Sequence, residues 1–187
     1  LGWCPGSTGA IALTNEETHM FRKMLALALG GWLLAAVAGA ASLDAPAEKP
    51  ILTVTGRITT TNQEGGAAQF DRAMLERLGM VSFETMTPWY KQPVKFEGVP
   101  LAKLMEALGA SGERIVAVAL NDYSAEVPME DVKKFNVILA LKRDGEYMSV
   151  REKGPLFIVY PFDSDPDLKS QKYYSRSVWQ IARLEVK

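Results

Sequence analysis

Beyond His19 the chain contains neither cysteine nor histidine; its one Cys is Cys4 and its one His is His19. A domain built from the later residues has no disulfide to constrain its unfolded state and no thiolate or imidazole to clip a loop through zinc. Burial is left as its source of stability. About 145 residues follow Ala40, enough for one domain with a sizeable hydrophobic core. The same absence removes a Cys nucleophile, a Ser-His-acid triad and a soft-ligand metal centre from that domain. With no Cys or His after the export segment, the chain reads as a binding protein before it reads as an enzyme.

The N-terminal part predicts export. Residues 1–19 have no periodicity and read as sequence upstream of a true start at Met20. Arg22 and Lys23 form a positive segment, Met24 to Ala40 is a nearly unbroken apolar run, and Ala38-Gly39-Ala40 is a small-residue cleavage signal. Residues 20–40 are thus expected to be a signal peptide cleaved near Ala40. The run is shorter than the ~20 residues a membrane span needs. The expected product is periplasmic, with no direct membrane insertion after cleavage. Residues 41–50 read as a linker and 51–187 as the domain. The formal net charge is -1 and no basic tract occurs, which argues against nucleic acid or an anionic membrane surface as partner.

Within the domain, period-two patterns predict strands at Ile51–Ile58, Met80–Thr85, Val94–Glu97, Arg114–Leu120, Val137–Leu141, Tyr147–Val150, Leu156–Tyr160 and Val178–Val186. Arg114–Leu120 is apolar enough to be expected buried on both faces. Gly98 is expected to close its strand. Asp71 is placed to cap a helix that stops at Gly79, and Pro100 to open one that ends at Gly109. A helical turn or two is expected over Met129–Phe135, and Asp144-Gly145 signals a hairpin. Thr59–Gly66 and Thr87–Pro93 read as loops, and Asp163–Ser175 as a long polar segment. The expected class is α+β: a compact mixed β-sheet domain of seven or eight strands with two or three short helices.

The remaining chemistry is aromatic and polar. Trp89 lies in a proline-bounded loop and reads equally as a stacking platform or as a plug at the core edge. Trp179, in an alternating strand, reads as core. Asn121, Asp122 and Tyr123 follow a buried strand, where ligand-binding loops commonly sit. Asp122 is suited to accept paired N–H donors from a flat ring and Tyr123 to stack on it, or the cluster is simply an Asx turn. Arg176 is suited to an anion or a ring face, or to a surface salt bridge. Asp163, Asp165 and Asp167 alternate, but the glycine and terminal Glu of a calcium loop are missing, so they read as a solvated loop.

The runs VKFEGVPLAKLMEALGA, VAVALNDYSAEVPMEDV, LALKRDGEYMSVREKGPLFIVYP and YYSRSVWQIARLEV together resemble the oxidoreductase molybdopterin-binding superfamily of sulfite oxidase type, over roughly residues 51–187. The resemblance implies a mixed α+β fold with a pterin-cofactor cleft. Enzymes of that superfamily hold molybdenum through a cysteine in the region matching Glu84 to Trp89, where this chain has ETMTPW. The chain is more similar to a small exported branch of periplasmic pterin-binding proteins, some of which control a membrane-bound diguanylate cyclase/phosphodiesterase. The resemblance therefore implies a pterin ligand, with molybdopterin less favoured. It also implies a membrane-bound signalling partner and ligand contacts at Trp89, Asn121, Asp122, Tyr123 and Arg176. The alternative is a molybdopterin-dependent oxidoreductase in which an oxygen ligand such as Thr85 or Asp122 replaces the thiolate. A third reading is an interaction protein that presents an edge strand and the segment from DSDPD to YYSRS to its partner.

Overall fold

Leu52 and Val54 alternate with Thr53 and Thr55, and this period of two makes β1 (Leu52–Gly56) a strand with one buried face. The computed structural model describes residues 1–2 and 43–187. The expected start at Met20, the signal peptide and its cleavage site lie outside the described residues. All the elements described below belong to the unit Gly39–Lys187.

After β1 come β2 (Ala68–Phe70), α1 (Arg72–Arg77), β3 (Val81–Thr85), β4 (Val94–Pro100), α2 (Leu101–Ala107), β5 (Arg114–Ala119), β6 (Ser124–Pro128) and α3 (Met129–Lys134). They are followed by β7 (Ile138–Arg143), β8 (Glu146–Tyr147), β9 (Phe157–Val159), α4 (Gln171–Arg176) and β10 (Ile181–Val186). One sheet runs β2-β1-β10-β5-β6, with β1 and β10 parallel and the other neighbours antiparallel. The second runs β3-β4-β7-β8, and β9 pairs with the other half of β7. This is the expected mixed α+β architecture, with sheet dominant and helices short.

The core answers the lack of staples. Phe70, Phe96, Phe157, Phe162 and Tyr160 are fully buried, together with Leu52, Leu75, Leu101, Leu104 and Leu108. Each large apolar side chain so buried contributes about 2 kcal/mol. The α2 stripe of Leu101, Leu104, Met105 and Leu108 is buried as its spacing predicts. Asp71 caps α1, its Oδ1 accepting the Met74 amide at 2.8 Å. Its Oδ2 accepts from the Ala47 and Glu48 amides at 2.8 and 3.1 Å, so the segment that reads as a linker is tied to the domain.

Several expectations are corrected. β4 does not close at Gly98 but runs through it to Pro100, with a register shift between Glu97 and Gly98. A Cβ at Gly98 would lie 2.2 Å from the Leu139 carbonyl oxygen, so glycine lets the β7 backbone approach. Pro100 precedes α2 rather than opening it. β5 is buried on one face only, because Val116 and Val118 remain half-exposed. The β8 arm is two residues long, and Val150 begins a 3-10 turn, Val150–Glu152. The last strand starts at Ile181 rather than Val178, because Gln180 takes a left-handed φ of 55°. The 163–175 segment contains a 3-10 turn, Pro166–Leu168, and all of α4 except its last residue, Arg176. Among the described residues the strands number ten and the α-helices four.

Candidate functional site

Four stretches of chain converge on one cavity of about 440 Å³. The β3–β4 loop brings Pro88 and Trp89; the end of β5 and its turn bring Ala119, Asn121 and Tyr123. α4 brings Gln171, Tyr174 and Ser175, and the chain leaving it brings Ser177 and Trp179. The volume falls within the about 300–1,000 Å³ typical of small-molecule sites. Among the described residues no Asp, Glu, Lys or Arg lines it.

Trp89 is placed by its own loop and by aromatic contacts. Thr87 is buried, and its Oγ1 accepts the Trp89 amide at 3.3 Å. The Trp89 ring meets Phe157, Phe162, Tyr174 and Trp179 edge-to-face, with centroids 5.4 to 6.1 Å apart. Such pairs are worth about 1 kcal/mol each beyond burial. Trp89 therefore closes the core edge with part of its ring and lines the cavity with the rest, so both readings of this indole describe the same geometry.

The base of that loop is clamped. Asp163 Oδ2 accepts the Met86 amide at 2.6 Å and the Thr85 hydroxyl at 3.3 Å, while the Asp163 amide donates to Thr85 Oγ1 at 3.1 Å. Lys169 Nζ pairs with Asp163 Oδ1 at 2.7 Å. The Lys169 ammonium, and then the Met86 amide, hold the Asp163 carboxyl below its ordinary range. Asp165 accepts the Asp167 amide and caps the 3-10 turn. Two of the three alternating carboxylates are thus turned to loop-building contacts.

Of the expected ligand contacts, Trp89, Asn121 and Tyr123 line the cavity, and Asp122 and Arg176 do not. Asp122 takes a left-handed φ of 62° in the hairpin turn. Its side chain is 92% exposed and lies 3.9 Å from Arg183, so it does not face a ring edge here. The Asx turn belongs to Asn121, whose Oδ1 accepts the Tyr123 amide at 3.2 Å. The Tyr123 hydroxyl donates to the Ser175 carbonyl at 3.4 Å and ties the turn to α4.

Arg176 is turned into the body of the domain. It pairs with Asp131 Oδ2 at 2.6 Å, and the buried Tyr160 hydroxyl donates to the same oxygen at 2.8 Å. Burial, then the Asp131 charge, pushes the Tyr160 hydroxyl pKa far up, so Tyr160 stays a neutral donor. Arg176 is neither an anion contact in the cavity nor a surface ion pair. It fixes α4.

Helical spacing explains which residues sequence reasoning missed. Gln171, Tyr174 and Ser175 stand at i, i+3 and i+4, one face of α4, and line the cavity. Tyr173 and Arg176 lie on another face; Tyr173 is buried and the Arg176 guanidinium sits 5.5 Å from its ring centroid. As part of a polar segment QKYYSR shows no faces, and of its two charged residues, Lys172 and Arg176, only the second was marked. Trp179, expected in the core, packs on it only in part and also lines the cavity, because the turn at Gln180 keeps it out of β10.

Residues 60–163 match the oxidoreductase molybdopterin binding domain family, more than half of the chain. The chain belongs to that family. No curated protein matches it. The matched span of the family includes Pro88, Trp89, Ala119, Asn121 and Tyr123, while the α4 wall and Trp179 follow it.

Two expectations fall with this result. The preference for a pterin over molybdopterin is corrected, because molybdopterin is the group by which the matching family is described. The reading against enzyme activity is also corrected. It rested on the absence of Cys and His after the export segment, whereas the chain itself contains Cys4 and belongs to a family described as oxidoreductase. That ground does not stand.

The residues present fit the ring portion of such a cofactor. Two indoles and two phenols offer flat apolar surface, and the Asn121 and Gln171 amides each offer donors and an acceptor. The fit does not extend to a metal held by protein side chains. Among the described residues no group of three or more His, Cys, Asp or Glu is placed to hold an ion. Thr85 is buried and bonded to Asp163, and Asp122 points to solvent, so neither of the two suggested oxygen ligands lines the cavity.

Proposed function

We propose that this domain is an exported binding protein for the pterin ring system of molybdopterin-class ligands, and that its occupancy is read by a membrane-bound signalling partner of diguanylate cyclase/phosphodiesterase type. The observation that carries the ring-binding part is the cavity itself: Trp89, Trp179, Tyr123 and Tyr174 surround it, amides and hydroxyls fill the gaps, and among the described residues no charged side chain lines it. A pterin needs stacking surface for its bicyclic ring and mixed donors and acceptors for its 2-amino-4-oxo edge. The signal pattern over residues 20–40 supports export, and the resemblance to periplasmic pterin-binding proteins supports the signalling role. Molybdopterin, when bound, supplies the flat ring and carries its metal on its own sulfur atoms. The chain's part is to stack the ring between aromatic side chains, orient its edge with Asn121 and Gln171, and exclude water from its faces.

Titration of the purified protein with a pterin, followed by ligand fluorescence, tests this reading. Saturable one-to-one binding is expected, and Trp89→Ala should weaken it about tenfold by removing one stacking surface. No binding, or binding indifferent to Trp89→Ala, overturns it.

The family match favours a second reading, a molybdopterin-dependent oxidoreductase. It requires a metal carried by the cofactor without a cysteine from the Glu84–Trp89 region. Stoichiometric molybdenum in protein isolated from its own host supports that reading; bound molybdopterin without stoichiometric molybdenum supports the first.

A further inference from the structure

The loop that carries Trp89 is held in place by side chains. From Met86 to Pro93, among the described residues, its main chain makes no hydrogen bond to the main chain of another element. Pro88 and Pro93 have no N–H to give, and Lys91, Gln92 and Pro93 are exposed. Ahead of the indole, Asp163 accepts the Met86 amide. Behind it, Arg143 Nη1 donates to the Tyr90 hydroxyl at 3.3 Å. Trp89 therefore sits between two side-chain ties, one on each side of it in the chain.

Arg143 is suited to the second tie. It stands opposite Phe96 where β7 pairs with β4. The Tyr90 ring packs by both, with its centroid 6.3 Å from that of Phe96 and 5.3 Å from the guanidinium carbon. Arg143 Nη2 donates to Glu152 Oε1 at 3.0 Å, and Glu152 Oε2 accepts the Ser149 hydroxyl at 3.1 Å. A guanidinium serves two acceptors and a ring at once because its donors lie in one rigid plane, which an ammonium lacks. The Phe96 ring also meets Phe157 edge-to-face at 5.8 Å, and Phe157 meets Trp89 at 5.4 Å. Tyr90, Phe96, Phe157 and Trp89 thus form a continuous aromatic run, with Arg143 fixing its outer end.

We propose that Arg143 is a positioning residue for ring binding: by holding Tyr90 it keeps the neighbouring Trp89 indole in the cavity wall. This rests on the reading of the cavity as a ring-binding site and adds what pre-organises it. Arg143 does not line the cavity, so its effect on a ligand runs through the indole. With the tie cut, ordering the loop costs part of the binding free energy.

Fluorescence titration of the full chain with 6-methylpterin tests the proposal in a double-mutant cycle. Arg143→Met is expected to weaken binding about fivefold, and Tyr90→Phe to weaken it in the same direction. In the Trp89→Ala background Arg143→Met is expected to have no further effect, because the indole it positions is gone. An undiminished loss in that background overturns the proposal, since a purely structural arginine lowers affinity with or without the indole. Unchanged affinity in both Arg143→Met and Tyr90→Phe also overturns it and leaves the cavity reading standing. Should Arg143→Met lack a cooperative unfolding transition, the same cycle is read between Tyr90→Phe and Trp89→Ala. Failure of the unmodified protein to bind, or binding indifferent to Trp89→Ala, overturns the cavity reading and this proposal together.

Discussion

Asp71 and Asp122 are both short acids at the edge of an element, and they have opposite fates. Asp71 precedes an apolar helical pattern, so its carboxylate turns inward to the free amides of α1. Three backbone amides converge on it, from Met74, Ala47 and Glu48. The Met74 amide, the largest influence, holds its pKa below the ordinary value. Replacing it removes the cap and takes the acceptor from all three amides. Asp71→Ala is expected to cost about 2 kcal/mol, and Asp71→Asn appreciably less, as read from urea denaturation midpoints at neutral pH. Asp122 precedes no helix, takes a positive φ and faces water. The role of Asp71 was legible because a cap is a local pattern of a few residues. The direction of Asp122 was not, because it depends on the sign of one backbone angle in a tight turn.

At the scale of elements, the decisive piece is α4. Its six residues divide between the cavity face and the face packed on the domain, and the Tyr160–Asp131–Arg176 group locks the second face down. Arg176→Met leaves the buried Asp131 carboxylate without its counter-charge. The expected loss is about 3 kcal/mol of unfolding free energy, measured by chemical denaturation. Asp131→Asn added to that variant should recover part of it, because an amide oxygen still accepts from Tyr160 and carries no charge. A surface salt bridge would instead give less than about 1 kcal/mol, so the size of the loss distinguishes the two placements. The Asp144-Gly145 hairpin and the α2 stripe were legible from turn chemistry and spacing. α4 was not, because six polar and aromatic residues show no apolar period until their packing partners are known.

Across the whole domain, the cavity depends on contacts distant in sequence. Asp163 bridges the end of β3 to the segment leading into α4, joining residues 77 and 78 positions apart. Because its folded pKa is depressed, its contribution is fully present above the unfolded value, about 3.9, and is lost as pH falls through the folded value. The thermal midpoint should therefore fall more steeply below about pH 4 in the unmodified protein than in Asp163→Asn, which is expected to start lower and change less. Differential scanning fluorimetry between acid and neutral pH reads this directly. The side chain is 38% exposed, so solvent screening keeps the effect modest.

Periodicity along the chain encodes the sheet-dominated α+β class, most strands, the cap at Asp71, the stripe of α2 and a core large enough to do without staples. The sequence also marked Trp89, Asn121 and Tyr123, because a proline-bounded loop and a strand-end turn are local signals. Long-range packing sets the rest: Asp122 points out, Arg176 turns inward to Asp131, Gln171, Tyr174 and Ser175 share the cavity, and Trp179 leaves its strand to join them. The physical reason is the same in each case. A side chain's alternation is set by its neighbours in the chain, but its direction at a turn, and the face a short helix shows, are set by packing against residues far away in sequence.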